Sequence, residues 1–400
     1  MTERPRALLA ALFLVLAACI PPSAAPRAGE RAAFTIGYLE IDGDARYEAP
    51  RSYAGIEVRP RHRPWPGAEV ALRDSRILGR ALNLDFALER ARAADAEALS
   101  RRMDTLAAQG VRFFLADADG AALSALAEHA RGRGLVLFNV SEPDDALRGA
   151  ACAADLLHTV PSRRMLSDAL VQYLVSRRWT RVLVLRGPEP DDALAAAAFA
   201  VSARKFGARI VATRDFVLSN DPRERDLNNV ILLTQGADYD VVFVADALDV
   251  TARAVPYRTA LPRPVVGAEG LIPEAWHWTW ERYGAPQLNQ RFERRAGRRM
   301  TGRDWAAWVA VKAIVEAVAR TKGTDPAAMS AYLLSDALTL DGYKGVPMSF
   351  RSWDHQLRQP ILLHSDTAVV ARAPIEGFLH PKQYMDTLGV DAPETKCKLR

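Results

Sequence analysis

The strongest constraint on this chain is a regular alternation. Apolar runs of about five to seven residues are separated by helical stretches of roughly ten to fifteen, over most of the length. "FTIGYLE" reads as a strand, and residues 82–87 read as another. An Ala/Leu helix over 95–109 is closed by Gly110, and "VRFFLAD" follows as a strand. Residues 120–131 read as helix and "GLVLFNV" as strand. The second half repeats the pattern. A helix over 163–176 precedes "RVLVLRG", a helix over 191–206 precedes "ARIVATRDFVL", and a helix over 222–235 precedes "YDVVFVAD". One more helix leads to "RPVVGAEG". Short strands separated by helices pair in parallel through right-handed crossovers. Eight such strands in two groups of four predict an α/β protein with two doubly wound parallel-sheet lobes.

Further on, residues 304–321 predict a long helix with Asp304 as its cap. After Gly342 the pattern changes. "GVPMSFRSWDHQLRQPILLHSDTAVVARAP" alternates like antiparallel strands, with its turn at Trp353, Asp354 and His355. The proline-spotted tail after Pro374 is expected to wrap the surface.

The N-terminus has the grammar of an export signal. Arg4 and Arg6 precede an apolar run from Ala7 to Ala18, then small residues. The run is too short to span a bilayer as a stable helix. It stops at "LAAC", which resembles a bacterial lipobox and makes Cys19 the expected lipid-bearing residue; cleavage after "SAA" (23–25) is the alternative. Residues 21–33, rich in Pro, Ala and Arg, would form a loose tether. The exported remainder, roughly 365 residues, exceeds one ordinary core and calls for two lobes. If Cys19 carries lipid, Cys152 and Cys397 remain, and in an oxidising periplasm they are expected to pair; the alternative is two unrelated thiols.

The net charge of +5 is spread out with no polybasic block, so nucleic-acid binding is not indicated. Nearly all the cations are Arg, whose planar fork suits carboxylates. No GxSxG, HExxH or GxxxxGK[ST] motif occurs, and the seven His residues are scattered. "DADG" (117–120) fails as a calcium loop because Ala121 and Ala122 follow it. The sequence thus shows no recognisable catalytic set and no metal-binding motif, and no catalytic residues and no metal are expected. One stretch stands apart: "EAWHWTWERYG" holds Trp276, Trp278 and Trp280 within five positions. On a strand they would share a face, on a helix Trp276 and Trp280 would stack, and in a loop they would line a wall. Pro273 just before them suits a helix start.

The order of these parts resembles the type I periplasmic solute-binding proteins of ABC importers, nearest the branched-chain amino acid receptors. It is carried by the leader, the two α/β lobes, "VVGAEG", the late helix and the antiparallel tail, over roughly residues 34–372. "GYLE…RYE…RSYAGIEVRPRHRPWPGAE" with "WHWTWERYG…RDWAAW" looks more narrowly like the sub-group associated with pyrroloquinoline quinone (PQQ)-dependent alcohol dehydrogenase systems. The resemblance implies a binding module rather than an enzyme: two lobes joined by a three-strand hinge, closing on a small molecule and docking on a membrane permease. It assigns 34–158 with 282–340 to lobe 1, 159–281 with 341–373 to lobe 2, and 374–400 to a C-terminal extension.

In the branched-chain receptors the first lobe holds the ligand carboxylate with hydroxyl and amide donors. Here those places read "LADADGAA" and "FNVSEPDD": Asp117, Asp119 and Glu142 replace hydroxyls, and Ser141 alone remains beside the amides near Gly120. The family's ammonium acceptor matches Glu269. An amino-acid ligand is therefore only half supported. The loop after the first strand brings Arg51, Tyr53, Arg61, Arg63 and Trp65 towards the cleft, since ligands bind at the carboxyl ends of the strands. Trp276, Trp278, Trp280 and, at the start of the late helix, Trp305 would add stacking faces. Arg and Trp together suit a flat polyacid such as PQQ, taken as cargo rather than as a catalytic cofactor. The alternatives are a receptor for an amino acid or a small alcohol-oxidation product, or a periplasmic sensor component; for the residues, the bland alternative makes 61–63 a solvated turn and the tryptophans core.

Overall fold

The computed structural model describes residues 31–48, 52, 53 and 55–399. The expected leader, Cys19 and Arg51 lie outside the described residues. The first strand already begins at Ala32, within the expected tether.

Lobe 1 is built on β1 (Ala32–Ile41), β2 (Leu84–Ala93), β3 (Phe113–Asp117), β4 (Val136–Asn139) and β5 (Leu156–His158). They form one parallel sheet in the order β2-β1-β3-β4-β5. Every residue of β3 is buried, because helices cover both faces of a parallel sheet; this is why "FFLAD" reads as a continuous apolar run. Lobe 2 repeats the plan with β6 (Arg181–Arg186), β7 (Arg209–Asp215), β8 (Val241–Ala245) and β9 (Val265–Gly267), in the order β9-β8-β6-β7. In both sheets the strand order reverses beside the first strand, and the crevice there, at the carboxyl ends, is where such sheets take ligands.

The chain passes between the two cores three times. Leu157 belongs to the first core and Met165 to the second; Val266 to the second and Trp276 to the first; Leu357 to the first and Ile361 to the second. The later passages thus fall away from the expected boundaries at 281 and 341. A third sheet marks the junction: β10 (Ile272–Glu274) and β12 (Val369–Ala373) flank β11 (Ile361–His364), all antiparallel. Pro273 therefore sits in a strand opposite Leu363, not at a helix start. The Trp353–His355 turn closes only a short bridge between Phe350 and Leu357, and the β11–β12 hairpin turns later, beyond His364. Gln359 Nε2 donates to Thr159 O (2.7 Å) and Gln356 Nε2 to His158 O (3.2 Å), which laces two of the passages together.

The helices that frame the junction follow local rules. Residues 65–74 (α1, Trp65–Asp74) and 96–108 (α2, Ala96–Ala108) precede α3 (Gly120–Ala130), whose cap is Asp119. In lobe 2, α4 (Arg163–Ser176) is capped by Ser162 and α5 (Pro190–Phe206) by a Glu189/Asp192 capping box. The late helix α6 (Gly302–Thr321) starts earlier than expected. Thr301 is its cap, and Asp304 is the reciprocal partner that accepts from Thr301 N (2.9 Å). Gly67 lets α1 approach α6: a Cβ there would lie 2.0 Å from Asp304 O. The expected helix over 222–235 shrinks to a 3-10 turn and Val230–Thr234, because Asn228 and Asn229 spend their side chains on backbone groups. Pro256 likewise limits the next segment to a 3-10 turn.

The C-terminal segment packs on lobe 2. Leu388 enters the second core, and Lys205 Nζ donates to Thr387 O (2.8 Å) and Gly389 O (2.9 Å). From there the chain returns to lobe 1, where Cys397 is bonded to Cys152 (S–S 2.07 Å, Cα–Cα 5.6 Å) across 245 residues.

Candidate ligand-binding site

A cavity of about 480 Å³ lies between the lobes, a size that suits a small organic solute. Three helices start at its wall. Arg163 opens α4, Asp191 and Asp192 lie in the first turn of α5, and Thr301 to Arg303 begin α6. Unpaired amides and the helix dipole make each such end favourable to negative charge. The guanidinium groups of Arg61, Arg163 and Arg303 line the same space. Leu166, Leu170, Ala195 and Phe243 give it an apolar floor in lobe 2.

Most of the polar groups are already engaged. Arg61 Nη2 donates to Ala247 O across the cleft, and Arg303 Nε donates to Ser141 O (3.2 Å). Arg163 Nη2 donates to Asp191 Oδ1 (2.6 Å). Its Nη1 has no hydrogen-bond partner, and Glu142 Oε1 lies 3.7 Å from it. Asp246, 5% exposed, accepts three amides through Oδ2, those of Val250, Thr251 and Ala252 (2.8–3.0 Å). Its Oδ1 is buried without a partner. Among the described residues of the lining, Arg163 Nη1 and Asp246 Oδ1, both on lobe 2, are thus buried polar atoms without a hydrogen bond.

Asp192 accepts from Ala247 N and Glu189 N, yet burial pushes its carboxyl up to about 6, helped by the charges of Asp246 and Glu189. The folded value stands above the ordinary carboxylate value of about 3.9. The stability this group contributes is therefore fully present below about pH 4 and is lost as the pH rises through about 6. A ¹³C titration of the Asp192 carboxyl is expected to show its midpoint near 6. A midpoint at the ordinary value would remove the burial argument for this wall.

The sequence-derived site is only partly assembled here. Among the described residues of that set, Arg61 and Ser141 line the cavity. Arg63 turns inward instead, donating to Asp117 Oδ2 (3.2 Å) and stacking over Tyr47 (4.6 Å). Arg46 binds Asp44 (2.7 Å), Asp117 (3.3 Å) and Ser141 Oγ (3.1 Å). The expected acidic rim of lobe 1 is therefore neutralised from within the chain. Glu269 is taken by Arg59 (3.1 Å), which also meets Asp249 (3.0 Å), and does not line the cavity. Tyr53 lies in a two-residue hairpin strand away from the lining.

The tryptophans are structural. Trp276 and Trp305 are fully buried in the first core and stack at 6.2 Å and 9°. Their indole N–H groups donate to Asn289 Oδ1 (2.9 Å) and Gly342 O (3.1 Å). Trp280 is buried and donates to Tyr343 O (2.9 Å). Trp278 is half-buried beneath Arg299 (4.3 Å). Trp65 packs edge-on against Tyr38 (5.0 Å) under Arg90. None of the five lines the cavity. The tryptophan run is neither helix nor strand but a turn-rich segment folded into lobe 1. Sequence reasoning missed Arg163, Asp192 and Arg303. Their signal is position, since each falls in the first turn of a cleft-facing helix.

A family profile described as periplasmic binding protein matches residues 67–261, from the first helix of lobe 1 into lobe 2. No curated protein sequence matches the chain. Solved structures align over nearly its whole length. One is a branched-chain amino acid ABC transporter periplasmic ligand-binding protein from Burkholderia xenovorans (14% identity, 91% of this chain and 99% of that one, TM-score 0.69). Another is a leucine-, isoleucine-, valine-, threonine- and alanine-binding protein from Brucella ovis in a closed conformation (14%, 92% and 99%, 0.67). A third is an ABC transporter solute-binding protein from R. palustris in complex with benzoate (12%, 92% and 100%, 0.63). The chain has the type I periplasmic binding protein fold. The matching profile and these neighbours are binding proteins by description, which favours the binding-module expectation over an enzyme. At these identities the type I fold fixes the architecture and leaves the solute open.

Proposed function

We propose that this chain is a periplasmic solute-binding protein that captures a small organic acid with an apolar body and one hydrogen-bond donor, for delivery to an ABC importer. The observation that carries the reading is the pair of polar atoms without a hydrogen bond, Arg163 Nη1 (3.7 Å from Glu142) and Asp246 Oδ1, in residues lining an interlobe cavity with an apolar floor. Three helix starts and three guanidinium groups supply the preference for a carboxylate. Asp246 supplies the preference for a hydroxyl or amine elsewhere on the same molecule. The benzoate and amino-acid ligands of the structural neighbours show that this fold takes both kinds of acid.

PQQ keeps half of its sequence argument. Carboxylate capture by Arg61, Arg163 and Arg303 remains, while indole stacking is not offered by this cavity. PQQ thus becomes one probe among several acids.

The test is a melting-temperature screen with aliphatic and aromatic hydroxy acids, amino acids and PQQ, since a ligand of the native state raises the midpoint. For the best ligand, Arg163→Ala and Asp246→Asn are each expected to weaken binding by about 1.5–3 kcal/mol, or roughly tenfold to a hundredfold. A screen in which only cationic solutes stabilise the protein overturns the reading.

A further inference from the structure

We propose that the pole of lobe 1 opposite the solute cavity is a docking face for an anionic phospholipid surface. β1 and β2 run parallel from a register that sets Ala32 beside Leu84, so the chain enters lobe 1 at the amino ends of the strands. The cavity lies at their carboxyl ends. At the entry pole a second hollow of about 280 Å³ is lined by Arg31, Arg76 and Arg80 over Leu84 and Phe86. Its one carboxylate, Asp85, is paired with Arg31 (3.1 Å). Arg76 and Arg80 are exposed and make no ion pair among the described residues. Between them Ile77 is 73% exposed, next to the guanidinium groups rather than in the core.

Gly79 holds this face together. A Cβ there would lie 2.8 Å from Leu84 O, so the short helix Arg76–Ala81 sits tight on β2 and keeps its two arginines at the hollow. Clustered guanidinium groups around a small recess match a phosphodiester, and a protruding aliphatic side chain beside them suits the headgroup boundary of a bilayer. The inference rests on the reading that the chain is exported and held at the membrane through Cys19. Eleven residues lie between Cys19 and Arg31, a reach of at most roughly 40 Å, so this pole would stay near the bilayer.

The test uses the exported chain carrying Cys19→Ser and cleaved after residues 23–25, which has neither lipid nor the apolar run Ala7–Ala18, so any association comes from the protein surface. It is expected to co-sediment at low ionic strength with vesicles of phosphatidylglycerol and phosphatidylcholine, and not with phosphatidylcholine alone. The double variant Arg76→Glu/Arg80→Glu is expected to lower partitioning roughly tenfold or more, because each cation near an anionic surface contributes about fivefold. Arg258→Glu, on an exposed turn of lobe 2, should leave it unchanged. A melting curve confirms that the double variant is folded. Equal binding to neutral vesicles, or partitioning indifferent to the double substitution, overturns the proposal. So does inorganic phosphate that raises the melting temperature and displaces no vesicle, since that marks a site for a free anion.

Discussion

Replacing Arg46 by alanine is expected to destabilise the folded protein by about 3–5 kcal/mol, the usual effect of removing one partner from a buried ion network. Arg46 is the hub of that network. Its guanidinium contacts Asp44 and Asp117 and lies 3.7 Å from Glu142. Asp117 is fully buried and also accepts from Tyr47 (2.7 Å) and Arg63 (3.2 Å). Without Arg46, Arg63 remains on Asp117 and Arg163 lies 3.7 Å from Glu142, while Asp44 loses its ion-pair partner. The loss has a pH signature. Burial raises the Asp44 carboxyl, but the hydrogen bonds and charge of Arg46 outweigh it, so the folded value lies below the ordinary one. Such a group stabilises above its unfolded pKa and loses that contribution as the pH falls through its folded value. The penalty of Arg46→Ala should therefore be largest near neutrality and shrink in acid. Urea unfolding of the variant at several pH values checks this, and Asp117→Asn in the Arg46→Ala background should recover part of the loss. A near-neutral Arg46→Ala would mean that the rim is not held from within.

Truncating Trp305 to alanine is expected to cost about 3–5 kcal/mol as well, through a different cause. Its ring stacks on Trp276 on one side and faces Lys344 Nζ, 3.6 Å from its centroid. Lys344 is fully buried and donates to Gln359 Oε1 and Pro360 O (both 2.9 Å). Removal of the indole opens a cavity beside Trp276 and takes away the aromatic face over the buried Lys344 amine, whose proton affinity burial holds well below that of a free lysine. Trp278→Ala, which removes a half-buried ring beneath the exposed Arg299, is expected to change stability by less than about 1 kcal/mol. Guanidinium unfolding of both variants separates them. Similar effects would contradict the assignment of the tryptophans, and so would a loss of solute binding in folded Trp278→Ala.

The fold was legible because parallel sheets buried on both faces leave continuous apolar runs, and β3, β6 and β8 are such runs. Segments whose side chains satisfy backbone groups locally were not legible, as Asn228 and Asn229 show. The site was less readable still. Arg61 and Ser141 were found because they follow strand ends. Arg63 sits two residues from Arg61 and points elsewhere, towards Asp117, and nothing in the spacing distinguishes them. The tryptophans misled for a physical reason. Three indoles without neighbouring aliphatic residues look unsupported in sequence, yet their support comes from α6 and from Lys344 and Tyr343, far along the chain. Arg163 carried no compositional signal, since arginine is everywhere in this protein. Its significance comes from being the first residue of a helix aimed at the junction.

The most direct measurement is a crystal structure of the protein with the acid that raises its melting temperature most. The carboxylate is predicted to accept from Arg163 Nη1 in the interlobe cavity, the ligand's donor to reach Asp246 Oδ1, and the Trp276–Trp305 stack to stay closed. A ligand found against the indoles, or one that leaves Arg163 and Asp246 untouched, would contradict the account.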